Sequence, residues 1–298
     1  MLTTPSRQLN HSRLPASRSD VNPAATILYS PYFLPPMPKL ITYNIEYCEG
    51  IEGLWYQYLK FWRVFLAPKN VSQKMVKALQ KLKPDILALV EVDTGSLRAR
   101  RKDEVVFLEE KLHLKNFVEK VKYPLKGWLK LFHHVPILNK QANAIISRFN
   151  FEKIRYHVFH EGTKRMVIET AIKCPKKVTL LLAHLSLGRR SRTKQIRELI
   201  GIVNRIKNSV ILMGDFNTFH GKEEIDILLD KTPLRDAVGL EEASKIFTEP
   251  AWHPCRRLDY ILVSPQIKIK KYSVLNFHFS DHLPLMVDFE FRKGKRSF

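Results

Sequence analysis

Short apolar runs that end at a polar residue recur along the chain. Residues 210–219 run V-I-L-M-G-D-F-N-T-F, so four apolar residues and a glycine lead into Asp215 and Asn217. An apolar run of this length that stops at Gly-Asp is typical of a buried strand. Polar side chains just past such strands gather in a cleft in layered α/β proteins. Asp215 and Asn217 are therefore candidate site residues, although a simple turn would also explain both residue types.

The same pattern predicts further strands, and helical patterns lie between them. The strands are expected at 39–44, 85–92, 141–147, 166–172, 178–185, 257–264 and after Asp281-His282. Apolar stripes at helical spacing predict helices at 54–66, 71–83, 103–113, 188–207 and 222–230. This alternation favours one α/β domain over residues 37–291.

The two ends of the chain lack this periodicity. Residues 1–36 carry Pro, Ser and Arg without a repeating apolar pattern, and we expect them to form a disordered leader. Met37 directly precedes the first strand, and one hypothesis is that the natural protein begins there. Residues 292–298 are expected to be a frayed basic tail.

The charge balance adds a preference for polyanionic partners. Among 298 residues, 50 Lys and Arg against 29 Asp and Glu give a net charge of +21. Such an excess favours nucleic acid, an acidic membrane surface or a phosphate-bearing substrate, and a solvated basic surface is the plainer alternative. Cys48, Cys174 and Cys255 form no zinc or disulfide spacing, so we expect a reducing, cytoplasmic compartment.

Other predicted strands also end at, or carry, a residue able to do chemistry. Each has a structural explanation: Asn44 could cap a turn, Glu91 could be paired in an ion pair, and His184 could be a satisfied core residue. Their recurrence at strand ends outweighs these explanations. Oxygen ligands of this kind suit Mg²⁺ or Mn²⁺, and nearby histidines suit proton transfer or stabilisation of a charged phosphoryl group. The further candidates are Asn143, Asp259, Asp281 and His282.

Seven segments, taken together and in order, resemble the endonuclease/exonuclease/phosphatase superfamily. They are T-Y-N (42–44), D-I-L-A-L-V-E-V (85–92), A-N-A-I-I-S (142–147), L-L-A-H-L (181–185), G-D-F-N (214–217), R-L-D-Y-I-L-V-S (257–264) and S-D-H-L-P-L (280–285). The resemblance implies a four-layer α/β sandwich, in which two packed mixed sheets are flanked by helices. It also implies Mg²⁺- or Mn²⁺-dependent hydrolysis of a phosphoester by in-line attack of water.

The resemblance further implies a role for each candidate. Asn44 and Glu91 would hold the metal, with Asp281 beside it. Asp215 would orient or deprotonate the attacking water, and Asn217 would fix the same neighbourhood. The remaining roles concern the phosphate: His282 would contact it, Asp259 would orient that imidazole, and Asn143 and His184 would bind nonbridging oxygens.

Two positions depart from the family pattern without removing a proposed ligand. Val90 stands before Glu91 where glutamine is frequent, and Ala142 stands before Asn143 where glycine is common.

The sequence is compatible with two classes of substrate. The net charge, the basic stretch 98–102 and the basic start of the 188–207 helix favour a nuclease acting on DNA or RNA. Aromatic rings mixed with lysine in 54–66 and 123–138 favour a phospholipid or small-molecule phosphodiesterase at a membrane surface. A non-catalytic nucleic-acid-binding domain would predict loss of Glu91, Asp215 or His282, and all three are present. We predict a monomeric nuclease.

Overall fold

The computed structural model describes residues 37–48, 70–96, 99, 101–121 and 140–292. The expected leader, the aromatic-rich segments 54–66 and 123–138, part of the basic stretch 98–102 and most of the tail lie outside these ranges. The expectations for those segments therefore stay predictions.

The described residues form twelve β-strands, five α-helices and a short 3-10 turn at Glu46–Cys48. The strands are β1 (Lys39–Asn44), β2 (Ile86–Asp93), β3 (Asn116–Val121), β4 (Gln141–Ser147), β5 (Phe151–Val158), β6 (Met166–Lys173), β7 (Lys177–His184), β8 (Ser209–Asp215), β9 (Arg235–Asp236), β10 (Asp259–Val263), β11 (Ile267–Val274) and β12 (Leu285–Phe291). The helices are α1 (Val71–Leu82), α2 (Glu104–Leu112), α3 (Arg189–Asn204), α4 (Glu223–Asp230) and α5 (Leu240–Ala243).

Two six-stranded mixed sheets organise these elements. Their strand orders are β11-β12-β1-β2-β4-β3 and β5-β6-β7-β8-β10-β9. The pairs β1–β2 and β7–β8 are parallel, and the other named pairs are antiparallel. Helices α1 and α2 pack on the outer face of the first sheet, and α3 and α4 pack on the second. The expected four-layer sandwich is confirmed.

Strand β2 shows why the apolar runs are continuous. Ile86, Ala88 and Val90 pack between the two sheets, whereas Leu87 and Leu89 pack beneath the helices. A strand that is covered on both faces needs apolar residues at every position. The strands that the sequence analysis did not predict include β5 and β11, which lie at sheet edges and alternate apolar with charged residues.

This alternation also carries polar residues into the end of the inter-sheet core. Side chains two positions apart share a face, so Asp215 lies on the same side of β8 as Met213, which packs between the sheets. By the same rule, Asn44 lies on the same face of β1 as Leu40, and His184 lies on the same face of β7 as Leu182. The buried centre of the sandwich therefore becomes polar at one end.

None of the helices in the described ranges combines the length and apolar character needed to cross a bilayer.

Candidate active site

A β-bulge sets the position of Glu91. Across the antiparallel β2–β4 ladder, Val90 is opposite Asn143 and Val92 is opposite Ala142, so Glu91 is the extra residue. Its φ is +60°, in the left-handed region that non-glycine residues seldom occupy. Bulges re-aim side chains and occur frequently beside active sites. Here the bulge removes Glu91 from the regular alternation of β2 side chains between the two faces of the sheet.

A lysine and a histidine lie against the Glu91 carboxylate. The Lys164 Nζ lies 3.2 Å from Glu91 Oε1, and the His184 Nε2 lies 3.7 Å from the same oxygen. Lys164 comes from the loop between β5 and β6, and His184 is the last residue of β7. The contact therefore joins the first sheet to the second.

The end of β8 depends on a glycine. A Cβ at Gly214 would lie 2.0 Å from the backbone oxygen of Ala183, and its φ is +130°. Only glycine lets β7 and β8 approach this closely at the Ala183–Gly214 pair, which directly precedes the pairing of His184 with Asp215. The glycine before the aspartate is thus required by the parallel pairing, beyond its role in stopping the strand.

Asp215 lies at the centre of the site and is 1% exposed. Its Oδ2 accepts a hydrogen bond from Asn44 Nδ2 at 3.1 Å and lies 3.3 Å from His184 Nε2. Asn217, with φ of +52°, turns the chain so that its backbone N–H donates to Asp215 Oδ1 at 2.9 Å. The Asn217 side chain donates to the Leu185 carbonyl at 2.8 Å, which fixes that turn against the end of β7.

A buried carboxylate–imidazole pair lies beside Asp215. The His282 Nδ1 is 2.7 Å from Asp259 Oδ2, and both side chains are buried. Antiparallel pairing places Asp259 directly opposite Asp215. Ligand atoms of Asp215, Asp259 and His282 all lie within 4.8 Å of one another.

The segment before β12 carries this imidazole to the first sheet. Ser280 Oγ donates to the Asn44 carbonyl at 2.7 Å, and the His282 backbone N–H donates to Ser280 Oγ at 3.2 Å. Asp281 Oδ1 lies 3.9 Å from His282 Nε2. The 280–282 segment is thereby fastened to the end of β1.

Neighbouring charges keep Asp215 ionised and His282 protonated. Burial opposes ionisation of Asp215, but His184, His282 and Lys164 bring its pKa well below the usual range. Burial likewise opposes the charged form of His282, and the carboxylates of Asp259, Asp281 and Asp215 raise its pKa well above the usual range.

Burial affects the pKa of the Asp259 and Asp281 carboxyl groups more than neighbouring charges do. It raises the pKa of Asp259 despite the opposing charge of His282. The 2.7 Å contact nevertheless favours the ion pair, so we assign the proton to the imidazole. Burial also raises the pKa of Asp281, and the charge of Glu91 raises it further.

Asn143 fits a bound ligand, and the neighbouring carboxylates fit a divalent cation. The Asn143 Oδ1 is buried and has no hydrogen-bond partner among the described residues, so its amide is available to a ligand. Glu91 and Asp281 lie close enough for the charge of one to act on the other. A hard cation with oxygen ligands would relieve that repulsion. The residues present therefore fit Mg²⁺ or Mn²⁺.

All nine predicted site residues are thus brought to one end of the sandwich. Direct contacts join five of them around Asp215 and His184 and three around His282, and ligand atoms of Asp215, Asp259 and His282 bring the two groups within 4.8 Å. The β-ladder places Asn143 beside the Glu91 bulge. The roles implied for them by the resemblance stay predictions. Sequence reasoning missed Lys164, Ser280 and Thr248, whose hydroxyl accepts from the Asp259 backbone N–H at 3.3 Å. Lysine, serine and threonine are too common for a sequence signal, and only the packing identifies these three.

The basic start of α3 does not form a row of free cations. Arg192 is fully buried and binds Glu224 through Nε and Nη2 at 2.8 and 2.7 Å. Lys194 pairs with Glu161, and Arg189 lies 3.0 Å from Glu223. The basic start of this helix was expected to be a solvated or a phosphate-facing surface, and for Arg192 both expectations are wrong, because this arginine is buried and joins α3 to α4. Arg190 and Arg197 are exposed on the same helix.

Comparison with known proteins identifies the family. The model of the Endonuclease/Exonuclease/phosphatase family matches residues 41–282. The chain belongs to this family. The match begins in β1, ends at His282 and so includes each of the nine clustered residues. Members of the family are metal-dependent hydrolases of phosphoester bonds, and this chain is an enzyme of that class.

Solved structures with the same fold include proteins with different named activities. TDP2 of D. rerio, in complex with a single-strand DNA product, is 15% identical over 85% of this chain and 98% of its own, with a TM-score of 0.60. The human Nocturnin catalytic domain with a bound sulfate is 19% identical over 86% and 94%, with a TM-score of 0.60. The mannosyl-6-phosphatase of Bacteroides thetaiotaomicron is 18% identical over 85% and 100%, with a TM-score of 0.59. These likenesses show the fold. Curated proteins give no sequence match.

Proposed function

We propose that the protein is a Mg²⁺-dependent phosphodiesterase that cleaves nucleic acid by in-line attack of water. The observation that carries this proposal is the contact of Asn44, Asp215 and the Asp259–His282 pair at one end of the sandwich. Two sheets supply these side chains, so the fold itself brings carboxylate, carboxamide and imidazole groups to one point.

Asp215 is the residue that would orient the attacking water. Its low pKa keeps it a carboxylate, which accepts a hydrogen bond from water but is a weak proton acceptor. Asn44 and Asn217 donate to its oxygens and hold the carboxylate in place. The contribution of Asp215 is therefore mainly orientation of the nucleophile.

His282 would meet the negative charge that develops on the phosphate. Asp259 fixes the ring through Nδ1, which leaves Nε2 to donate to a phosphate oxygen. Because nearby carboxylates raise the pKa of His282, the ring carries its proton at neutral pH. Asn143 and His184 would donate to other oxygens of the same phosphate.

Asn44, Glu91 and Asp281 are the residues that would hold the cation. When bound, Mg²⁺ would polarise the phosphoryl oxygen and neutralise charge in the transition state. Lys164 and His184 limit the directions in which the Glu91 carboxylate can turn, since both contact the same oxygen.

Nucleic acid is the substrate that the charge favours. A net charge of +21 suits a polyanion, and a phosphodiester backbone places such charges at regular spacing. The relative crystallised with a single-strand DNA product supports the choice, whereas the mannosyl-6-phosphatase shows that the fold also serves small phosphoesters. The aromatic-rich segments that favoured a phospholipid substrate lie outside the described residues.

A substrate panel with the purified full chain tests the proposal. Single-stranded DNA, duplex plasmid, RNA, sphingomyelin vesicles and inositol phosphates are each incubated with Mg²⁺ at low and high salt. We expect cleavage of at least one nucleic acid, with an efficiency that falls steeply as salt rises. Hydrolysis of lipid or inositol phosphate without cleavage of nucleic acid would refute the nuclease assignment.

A further inference from the structure

Four exposed apolar side chains lie on loops that carry site residues. Seven large hydrophobic residues in the described ranges are exposed: Met37, Val158, Leu187, Phe219, Ile227, Phe247 and Trp252. Leu187 follows His184 by three positions, Phe219 follows Asn217 by two, and Phe247 directly precedes Thr248. Scattered exposed hydrophobic residues need no explanation, so we consider only Trp252, whose loop is attached to a catalytic segment.

Trp252 is held beside the site by backbone hydrogen bonds. It lies in the 248–256 loop, whose ends are joined by bonds from Thr248 N to Arg256 O at 2.7 Å and from Arg256 N to Glu249 O at 2.9 Å. The Ala251 N–H donates to the Asp281 carbonyl at 2.7 Å. The residue next to Trp252 is therefore attached to the segment that carries His282.

The indole is exposed although its backbone is fixed. Trp252 is 46% exposed, and its ring is tilted against His253 with 5.5 Å between centroids. A rigid backbone lowers the entropy lost when an exposed ring binds a ligand.

A second aromatic group lies on the neighbouring loop. The Arg256 guanidinium lies 5.6 Å from the centroid of Phe219, and its Nη1 is 3.3 Å from Glu249 Oε2. Glu249 in turn lies close enough to His282 and Asp281 for their charges to act on it. The 248–256 loop and the loop after β8 thus meet at Arg256, next to the proposed phosphate site.

We propose that Trp252 is a stacking platform for a base of single-stranded nucleic acid whose neighbouring phosphate is cleaved at His282 and Asp215. Exposed aromatic rings together with arginine are the usual means of binding unpaired bases, because each base has a π-face and the backbone is anionic. This inference rests on the proposed function and adds a residue that determines the substrate class.

The test compares base-bearing and abasic substrates. Steady-state cleavage is measured for an oligonucleotide and for a chain of the same length built from abasic deoxyribose phosphates, using wild type, Trp252→Ala, Trp252→Phe and Ile227→Ala. Ile227 is the matched control, since it is 40% exposed on α4.

For the oligonucleotide, we expect Trp252→Ala to raise KM by about 5- to 150-fold, the range that loss of one stacked base predicts. The value of kcat should change by less than about threefold, because the indole does not contact the reacting atoms. Trp252→Phe should restore most of the affinity, and Ile227→Ala should match wild type. On the abasic chain, Trp252→Ala and wild type should have the same KM and kcat.

A KM for Trp252→Ala within twofold of wild type on the oligonucleotide overturns the stacking inference and leaves the nuclease assignment standing. An equal loss on the abasic chain also overturns it, since the effect would not depend on a base. If wild type cleaves no oligonucleotide but hydrolyses phospholipid vesicles, both the nuclease assignment and the stacking inference fall.

Discussion

Replacement of Asp259 by asparagine tests the imidazole at the centre of the site. The substitution keeps the size of the side chain and removes the charge that lies 2.7 Å from His282 Nδ1. Both side chains are buried, so solvent does not screen the interaction. A charge-assisted hydrogen bond of this kind contributes about 1.5–3 kcal/mol. If that stabilisation is needed in the transition state, kcat should fall by about 10- to 150-fold.

The same variant has a predicted effect on the pH profile. In wild type, Asp259 is the first among the carboxylates that raise the pKa of His282 against the effect of burial. A protonated His282 is lost as pH rises through its pKa, so activity that needs the imidazolium declines on the alkaline side. Removal of the carboxylate lowers that pKa, and the decline should therefore begin at a lower pH in Asp259→Asn.

The assay is initial-rate hydrolysis of the preferred substrate across pH, with Asp226→Asn as the control. Asp226 lies on α4, where its side chain is 47% exposed, so its replacement should leave the profile unchanged. A kcat for Asp259→Asn within twofold of wild type, with an unshifted alkaline limb, would refute the role given to the pair.

Three further outcomes are expected. Chelation by EDTA should abolish hydrolysis, and added Mg²⁺ or Mn²⁺ should restore it; activity that survives exhaustive chelation would exclude the proposed cation. Arg192→Ala should lower the free energy of unfolding in urea by about 3–5 kcal/mol, because it leaves Glu224 buried and unpaired, whereas the exposed Arg190→Ala should stay within about 0.5 kcal/mol. Equal stabilities would contradict the buried pair. Gly214→Ala should be destabilising by more than about 3 kcal/mol in thermal unfolding, since backbone atoms obstruct a Cβ there. Gly221→Ala, with positive φ and open space, should cost only about 1–2 kcal/mol, and a similar cost for both would remove the argument from close strand approach.

The layered fold could be predicted because its central strands are covered on both faces. Strands such as β2 and β8 have almost unbroken apolar sequences, and these runs marked the elements within a few residues of their observed ends. Edge strands such as β5 have one solvated face and a mixed composition, so the same signal was absent. The β3 and β9 strands lie at the other edge of each sheet, and β9 has only two residues.

Much of the candidate site could also be predicted, since polar residues at strand ends interrupt the apolar pattern. The geometry of Glu91 could not, because a bulge depends on the register between two strands. For Arg192, the prediction from the sequence was wrong. A run of basic residues on α3 suggested a solvated or phosphate-facing surface, but the acidic partner of Arg192, Glu224, lies on another helix, and only tertiary packing brings the two together.

The side chains from both sheets are proposed to act as one hydrolytic centre in which Asp215 orients the nucleophile. The most direct measurement is kcat of Asp215→Asn on the substrate that wild type cleaves, with thermal unfolding measured on the same preparation. A fall of about 10²- to 10³-fold in a variant that unfolds at the wild-type temperature is the predicted result. A kcat within tenfold of wild type in a folded variant would contradict the claim.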